Sequence, residues 1–337
     1  MKRTIHSTAP ARIDLAGGTL DIYPLYLFEE FGLTVNAAIN VGSTVKIEER
    51  DDKRIVLRAE DIDLEQHADC VQELDVKGKL PLLARVVKHY LKDYDRGVNV
   101  TTLSRAPKGS GLGASSCLLI TLSGALNEIA GKGLDKSQIV HTASHLEAQV
   151  IEIPTGNQDY YAAAYGGVNA LWFLPGEDKV ESLGDAALAE LNKRVVLSYT
   201  GETRFSGTSN WIMMCRYIDD AEGERDKLRS IKDTAVAMRE AIVRGNWDHF
   251  AQQVDDEWRN RRGLARGVTT PKIDRIMSSA KEAGALASKI CGAGGGGCMI
   301  SVVEPGSREP VEKAIAAAEG QVLPFEVVAQ GLRVWED

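Results

Sequence analysis

The sequence predicts an α+β protein of two domains. Its 337 residues exceed what one hydrophobic core usually serves, so two domains are expected. From about residue 270 the pattern runs helix, strand, strand, helix, strand, an order that suits helices packed on one face of a sheet. We place the domain boundary near residue 180, which gives domains over residues 1–180 and 181–337.

The composition argues against several classes of protein. Hydrophobic residues make up 44% and charged residues 26%, as in an ordinary soluble globular protein. No apolar run approaches the roughly eighteen residues of a bilayer span, and none follows the basic N-terminus, so neither membrane insertion nor a secretory signal is expected. The net charge of −8 argues against nucleic acid as the main partner. Five scattered cysteines indicate free thiols and a cytoplasmic protein.

In the first half, alternating β-branched residues predict strands and apolar residues at helical spacing predict helices. Strands are predicted over 33–48, 54–59, 97–104 and 167–174, and helices over 81–94, 114–130 and 135–150. Gly131 lies where a C-terminal cap is expected, and Asp135 is a good N-cap for the next helix.

The second half is mainly helical from Gly207 to about Gly263, after a strand over 194–200. Thr270 and Pro271 predict a helix start, because they combine an N-cap with proline at the first helical position. The expected remainder is a strand, a glycine loop, a strand over 299–303, a helix over 308–319 and a strand over 325–334.

The most informative segment is a glycine loop, RAPKGSGLGASSC over residues 105–117. A strand enters it, Gly109, Gly111 and Gly113 alternate within it, and a long helix leaves it. Glycine permits positive φ and lets the backbone approach a phosphate, whose charge a helix N-terminus favours. A hydroxyl of Ser115 or Ser116 could bind Mg²⁺ or a phosphate oxygen. The pattern therefore predicts phosphate binding.

Three other kinds of glycine loop share parts of this pattern. A dinucleotide-binding fingerprint needs a second strand after the helix, with an acidic residue about twenty positions on, and here a helix follows a helix. A Walker loop needs G-x-x-x-x-G-K-[ST], which the glycine clusters do not contain. A glycine turn before a buried helix, with the serines as its cap, is also compatible with the residues.

Two acidic residues beyond the loop are candidates for its chemistry. Glu147 lies near the end of the second helix, and Asp159 lies past the break at Pro154. If the two helices pack antiparallel, Glu147 returns to the glycine loop. One carboxylate could then hold Mg²⁺ beside a serine hydroxyl while the other accepts a proton from a substrate hydroxyl, as phosphoryl transfer requires. Taken singly, Glu147 is more often a solvated glutamate on a helix face and Asp159 an aspartate in a polar turn. The spacing alone does not decide between these roles and the catalytic ones.

A third block, APARIDLAGGTLD over residues 9–21, is predicted to be a strand that bends into a loop. As a polyol site it would use Asp21 to accept hydroxyl protons and Arg12 to orient the reacting group. An edge strand with a polar turn is the alternative.

These blocks, with the glycine run Gly292–Gly297, resemble in their order the motifs of the GHMP kinase superfamily, named for galacto-, homoserine, mevalonate and phosphomevalonate kinases. The resemblance spans nearly the whole chain. It implies an N-terminal domain like domain 2 of ribosomal protein S5 and a ferredoxin-like C-terminal domain. It also implies ATP and Mg²⁺ as cofactors and phosphate transfer to a small-molecule hydroxyl. We expect a monomer or homodimer.

The resemblance also implies roles for individual residues. Asp159 matches the catalytic aspartate, and Arg12 matches the basic residue that helps to position the nucleophile. Glu147 matches the metal-binding glutamate, and Ser116 matches the Mg²⁺-associated hydroxyl. The family's nucleotide loop is matched by Pro107, Lys108, Gly109, Ser110, Gly111, Leu112, Gly113, Ala114, Ser115 and Ser116, with Ala114 where serine is common.

Within the superfamily, the chain is most similar to D-glycero-D-manno-heptose 7-phosphate kinases and next to fucokinases, which phosphorylate the anomeric hydroxyl of a sugar. The first motif of the family, matched here by residues 9–21, departs from the Gly-Gly-Gly-Thr-Asp of heptose kinases, because Leu20 separates Thr19 from Asp21. Arg204 could pair with a sugar phosphate, since a guanidinium fork suits phosphate geometry, or it could be a solvent-exposed arginine. The implied substrate-binding residues are Arg12, Gly17, Gly18, Thr19, Asp21, Gly156, Gln158, Arg204, Gly294 and Gly295.

The sequence therefore predicts an ATP- and Mg²⁺-dependent sugar or sugar-phosphate kinase, with the anomeric hydroxyl of a heptose 7-phosphate as the acceptor. A kinase of another sugar, fucose- or galactose-like, and a non-catalytic sugar- and ATP-sensing protein on the same fold are the alternatives. A decarboxylase of the mevalonate branch and a Rossmann dehydrogenase fit the motifs less well. We interpret as a solvated helix end the basic cluster Arg259, Arg261, Arg262 and Arg266.

Overall fold

The computed structural model describes residues 2–107, 109–203, 206–220, 223–264 and 267–337, and for residues 206–210 it describes the backbone alone. Three residues of interest lie outside the described residues: the predicted site residues Lys108 and Arg204, and Arg266 of the basic cluster.

The elements of the first half are β1 (Thr4–Ala16), α1 (Leu25–Phe28), β2 (Gly32–Glu49), β3 (Ile55–Ala59), β4 (Leu64–Ala68), α2 (Pro81–Tyr90), β5 (Val98–Ser104), α3 (Ala114–Ile129), α4 (Lys136–Ile151), α5 (Gln158–Tyr165), β6 (Val168–Leu174) and β7 (Glu177–Ser182). The elements of the second half are α6 (Gly184–Arg194), β8 (Val195–Tyr199), α7 (Ser206–Asp219), α8 (Glu224–Val243), α9 (Trp247–Arg261), α10 (Pro271–Glu282), β9 (Ala287–Ile290), β10 (Cys298–Val302), α11 (Arg308–Ala317), β11 (Gln321–Leu323) and β12 (Arg333–Glu336).

The strands of the first half and the last strand of the chain form one sheet. Its order is β12-β1-β2-β5-β3-β4, and β6 joins it by pairing with both β2 and β7. Strand β2 is long enough for two partners on one side, since residues 32–37 pair with β6 and residues 43–49 pair with β5. A second sheet has the order β11-β8-β10-β9 and is antiparallel. Two sheets with helices packed on them confirm the predicted α+β class.

The predicted domain boundary at residue 180 falls inside β7. Strands β1 to β7 lie in the first sheet and β8 to β11 in the second, but β12 returns to pair with β1. The division into residues 1–180 and 181–337 therefore remains a prediction.

Helix α3 is the central helix of the first half. It is apolar on nearly all sides because it packs against β1 and β2 and also against α2, α4 and α5. Ser115 and Ser116 lie in its first turn, so the packing of this helix fixes where both hydroxyl groups lie.

A capping box fixes the start of α4, as Asp135 predicts. Asp135 Oδ1 accepts the backbone N–H of Gln138 at 2.9 Å, and Gln138 Oε1 accepts the backbone N–H of Asp135 at 3.0 Å. The helix ends at Ile151, so Glu147 lies one turn before its C-terminus.

The prediction of a strand over residues 325–334 is wrong, because this segment crosses from the second sheet to the first. Strand β11 ends at Leu323, and β12 begins only at Arg333. Between them the backbone bonds to the first sheet at isolated points, such as the bridge from Val327 to Ile39. Nor does the sequence predict α5, which is short and directly follows the break at Pro154 and Gly156.

None of the helices among the described residues combines the length and apolar character that crossing a bilayer requires.

Candidate active site

A cavity of about 550 Å³ lies between the glycine loop that precedes α3 and the glycine loop that joins β9 to β10. The end of β1, the end of α4 and the start of α5 complete its wall. The predicted site residues in this wall are Arg12, Gly18, Thr19, Asp21, Gly109, Ser110, Gly111, Gly113, Ala114, Ser115, Ser116, Glu147, Gly156, Gln158 and Asp159. The residues from Gly109 to Ser116, except Leu112, therefore share one cavity with the two predicted acidic residues.

The glycines of the loop before α3 are required by both conformation and space. Gly109, Gly111 and Gly113 have φ of +68°, +71° and +72°. A Cβ atom on Gly111 would lie 2.5 Å from the carbonyl oxygen of Cys291, and one on Gly113 would lie 2.8 Å from Cγ of Asp159. The loop can therefore approach both Asp159 and the end of β9 only because these positions lack side chains.

Arg12 joins three segments of the wall. Its Nη2 and Nε lie 2.6 and 2.7 Å from Asp159 Oδ1, on α5, and its Nη1 donates to the carbonyl oxygen of Gly111 at 2.5 Å. Its backbone N–H donates to the carbonyl oxygen of Leu112 at 3.1 Å. Only 4% of Arg12 is exposed. Burial raises the pKa of the Asp159 carboxyl, and the adjacent Arg12 guanidinium opposes this rise.

Glu147 is surrounded by hydroxyl groups. Ser115 and Tyr160 donate to its two carboxylate oxygens, and Ser116 Oγ donates to Oε2 at 3.1 Å. The side chain is buried, and burial raises the pKa of Glu147, while the three hydroxyl donors lower it. A buried carboxylate beside two serine hydroxyls offers only oxygen ligands, which Mg²⁺ prefers.

Asp21 links the first motif to the start of α5. Its Oδ1 accepts the backbone N–H of Thr19 at 3.0 Å, and its Oδ2 accepts the backbone N–H of Gln158 at 2.9 Å. A Cβ atom on Gly156 would lie 2.5 Å from Oδ2, so Asp21 also requires a glycine beside it. Burial raises the pKa of Asp21 to about 6.

Among the predicted site residues that the structure describes, five do not line the cavity. Leu112 is fully buried, Gly17 packs on the carbonyl oxygen of Leu33, and Pro107 accepts a hydrogen bond from Ser110 in the turn before the wall. The remaining two, Gly294 and Gly295, pack instead on Val268, whose carbonyl oxygen accepts the N–H of Gly295 at 2.7 Å. From that glycine loop it is Gly292 and Ala293 that reach the cavity.

The interpretation of Arg261 as part of a solvated helix end is wrong. Arg259 is exposed and pairs with Asp255 and Asp256, but Arg261 is completely buried and reaches the cavity wall. Its position follows from the helical repeat, because the buried positions of α9 recur at Phe250, Val254, Glu257, Trp258 and Arg261. That repeat is the signal in the sequence that could have identified it.

Arg261 belongs to a buried charge cluster, which we define as Asp14, Glu257, Arg261 and Lys289. All four side chains are fully buried. Arg261 Nη2 lies 2.6 Å from Glu257 Oε1, and Lys289 Nζ lies 3.1 Å from both Glu257 Oε2 and Asp14 Oδ2. Two acids therefore face two bases, and the cluster ties β1, α9 and β9 together behind the cavity.

The raised pKa of Asp21 predicts a dependence of stability on pH. Between about pH 4 and 6 the folded protein keeps a proton on Asp21 that the unfolded chain has released. This contribution to stability is fully present below the unfolded pKa and is lost as the pH rises through the folded pKa. Relative to Asp21→Asn, the wild type should lose up to about 3 kcal/mol of free energy of unfolding between pH 4 and 7. Urea titrations of both proteins measure this difference, and a difference independent of pH would contradict the assignment.

Comparison with known proteins relates both halves of the chain to one family. The family model described as GHMP kinases N terminal domain matches residues 81–167, and the model described as GHMP kinases C terminal matches residues 238–321. The first match includes the loop before α3, Glu147 and Asp159, and the second includes α9 and the glycine loop after β9.

Three relatives extend this result over nearly the whole chain. The D-glycero-alpha-D-manno-heptose 7-phosphate kinase of Campylobacter jejuni is 29% identical over 99% of both chains. The L-fucokinase/L-fucose-1-P guanylyltransferase of Bacteroides fragilis is 31% identical over 88% of this chain, which spans 34% of that longer protein. The solved structure of a D-glycero-D-manno-heptose 1-phosphate kinase from Bacteroides thetaiotaomicron superposes with a TM-score of 0.79, at 28% identity over 98% of both chains. The resemblance that the motifs indicate is confirmed: this chain belongs to the GHMP kinase family.

Proposed function

We propose that this protein transfers the γ-phosphate of ATP, with Mg²⁺, to a hydroxyl group of a sugar or sugar phosphate. The anomeric hydroxyl of a heptose 7-phosphate is the expected acceptor. One observation carries the proposal: Asp159 and Glu147 lie in the same cavity wall as the glycine loop of residues 109–116. The similarity to the heptose 7-phosphate kinase of Campylobacter jejuni supports the choice of acceptor. Five free cysteines favour the reducing cytoplasm, where ATP is available.

The loop before α3 is the proposed site for the phosphates of ATP. Its glycines have the positive φ that turns successive N–H groups toward an anion, and α3 begins directly after Gly113. The partial positive charge at the N-terminus of this long helix favours a phosphate there.

Glu147 and Ser116 are the proposed Mg²⁺ ligands. Among the described residues, no group of three or more acidic, histidine or cysteine side chains is arranged to hold a metal ion. A cation beside Glu147 would therefore complete its coordination with phosphate oxygens and water, which is the usual arrangement for Mg²⁺. When bound, Mg²⁺ neutralises charge on the phosphates. Tyr160, which donates to Glu147, holds the carboxylate in place.

Asp159 is the proposed group that accepts or orients the acceptor's proton. Arg12 occupies Oδ1 of Asp159, and Oδ2 receives no hydrogen bond from any described residue. Burial raises the pKa of Asp159, and the adjacent Arg12 guanidinium opposes this rise because it favours the charged carboxylate. Positioning and electrostatic stabilisation then account for most of the rate enhancement, because phosphoryl transfer requires little covalent chemistry from the protein.

The acceptor is proposed to bind at the end of the cavity formed by the first motif. Gly18, Thr19, Asp21 and Gln158 form this part of the wall. Gln158 is 96% buried, and its Oε1 has no hydrogen-bond partner among the described residues. A buried amide oxygen without a partner suits a hydroxyl donor from the ligand, as a polyol would supply. A fucose-like acceptor is the second candidate, because the relative from Bacteroides fragilis is a fucokinase.

A screen of acceptors tests the proposed function. ADP release is measured with free hexoses, heptoses and their phosphates, and phosphorus NMR assigns the position that is phosphorylated. We expect release with D-glycero-D-manno-heptose 7-phosphate and a new phosphate on its anomeric oxygen. Fucose as the best acceptor would favour the second candidate, and no release with any sugar would contradict the proposal.

Asp159→Asn should lower kcat by roughly 10²–10⁴, the usual contribution of a general base. The affinity for nucleotide should barely change, because the asparagine keeps the volume of the side chain and Asp159 lies beside the acceptor. Steady-state kinetics and nucleotide titration measure the two effects. Asp185→Asn is the matched control, since Asp185 also lies in the first turn of a helix but is exposed. A kcat near that of the wild type would remove Asp159 from this role.

Glu147→Gln should raise the Mg²⁺ concentration needed for half-maximal activity by about tenfold, which corresponds to 1.4 kcal/mol of lost binding. The amide keeps the shape of the carboxylate but loses the charge that attracts the cation. A Mg²⁺ titration at saturating ATP measures the change. Glu152→Gln, on an exposed residue directly after α4, is the control and should leave the Mg²⁺ requirement unchanged. An unshifted titration for Glu147→Gln would count against metal binding there.

A further inference from the structure

Thr19 has an unusual backbone conformation for its residue type. Its φ is +83°, in the left-handed region, where a β-branched side chain is strained. Such a conformation persists only where the surroundings hold it. Thr19 is 5% exposed and lies in the part of the cavity wall that the first motif forms. Glycine would adopt this backbone without strain, so threonine here carries a conformational cost that glycine would not have.

Three buried side chains contact Thr19, and one of them is Met213, whose Sδ accepts the Thr19 hydroxyl at 3.8 Å. Asp21 accepts the backbone N–H of Thr19 at 3.0 Å, as described above. Arg261 holds the other side, because its Nη2 donates to the carbonyl oxygen of Gly18 at 2.8 Å and its Nη1 donates to Thr19 Oγ1 at 3.4 Å. One guanidinium group thus contacts both the peptide before Thr19 and its side chain. The planar fork of arginine allows this double contact, and the single ammonium of a lysine does not.

Arg261 is itself fixed by the rest of the buried charge cluster. Its Nε donates to Glu257 Oε1 at 2.7 Å, one helical turn earlier on α9. Lys289 Nζ lies 3.1 Å from the second oxygen of Glu257 and also pairs with Asp14, which completes the cluster. Lys289 lies two residues before the glycine loop after β9, so the shape of the turn at Thr19 depends on residues from the opposite half of the chain.

We propose that Arg261 is a positioning residue that holds Thr19 in its strained conformation so that the first motif fits the acceptor. The inference rests on the proposed function, since it requires an acceptor that binds beside Thr19. The side chain of Arg261 is completely buried and donates to Gly18 and Thr19, so its effect on the acceptor passes through these two residues. The side chain of Thr19 is then the group that contacts the acceptor.

Arg261→Lys separates positioning from a general structural role. Lysine keeps the positive charge opposite Glu257, so the cluster stays balanced while the double contact to Gly18 and Thr19 is lost. The KM for D-glycero-D-manno-heptose 7-phosphate should rise by about tenfold, and the KM for ATP should stay within about twofold. Arg259→Lys, on the exposed side of the same helix, should change neither. An unchanged acceptor KM, or an equal rise in both KM values, would overturn the proposal.

Thr19→Gly tests the backbone strain at Thr19 directly. This test does not require Arg261→Lys to fold. Removal of a buried side chain normally lowers Tm, so Thr102→Gly, at a buried threonine of β5 with ordinary φ, should lower Tm by about 3–6 °C. Thr19→Gly should not lower Tm, because the lost packing is offset by relief of strain, yet it should raise the acceptor KM by about tenfold.

Equal losses of Tm in the two glycine variants would show that Thr19 is not strained, and an unchanged acceptor KM would show that its side chain does not serve the acceptor. Either result would overturn the proposal. If the wild type turns over no sugar of the screen, the proposed function fails and this inference fails with it. The Tm comparison needs no substrate, so the two failures are distinguishable.

Discussion

The ion pair between Arg12 and Asp159 is the interaction on which the arrangement of the cavity depends. Both side chains are largely removed from water, so each charge must be compensated by the other. Arg12 also holds the loop before α3 through the carbonyl oxygen of Gly111, and Asp159 fits beside that loop only because Gly113 has no side chain. The pair therefore fixes β1, the loop and α5 relative to one another.

Three carboxylates in the cavity wall, Asp159 of this pair among them, differ in the donors that face them. Glu147 faces hydroxyl groups, Asp159 faces a guanidinium, and Asp21 faces two backbone N–H groups. Hydroxyl donors can turn toward a cation, and a guanidinium holds one carboxylate oxygen while leaving the other free. Backbone N–H groups cannot turn toward a cation, and at Asp21 they occupy both carboxylate oxygens. Asp21 therefore supports the turn at Thr19 and the start of α5. Different environments thus give chemically identical groups different tasks.

Local patterns in the sequence predict much of the cavity, since the glycine loop, the cap at Asp135 and the order of the motifs all lie within short segments. The meeting of Glu147 and Asp159 at the loop could be proposed from the spacing of two helices, although the spacing alone did not require it. The helical repeat of α9 could identify Arg261 as buried, but it could not identify the partners Gly18 and Thr19, which lie more than two hundred residues earlier. Sequence spacing does not encode that contact, nor the crossing of the last segment between two sheets.

We expect Arg12 to act on the reaction through Asp159. A double-mutant cycle on kcat with Arg12→Gln, Asp159→Asn and the double variant measures this coupling directly. Arg12→Gln should lower kcat strongly in the wild type but by less than about threefold once Asp159 is asparagine. Independent effects that multiply in the double variant would contradict this expectation.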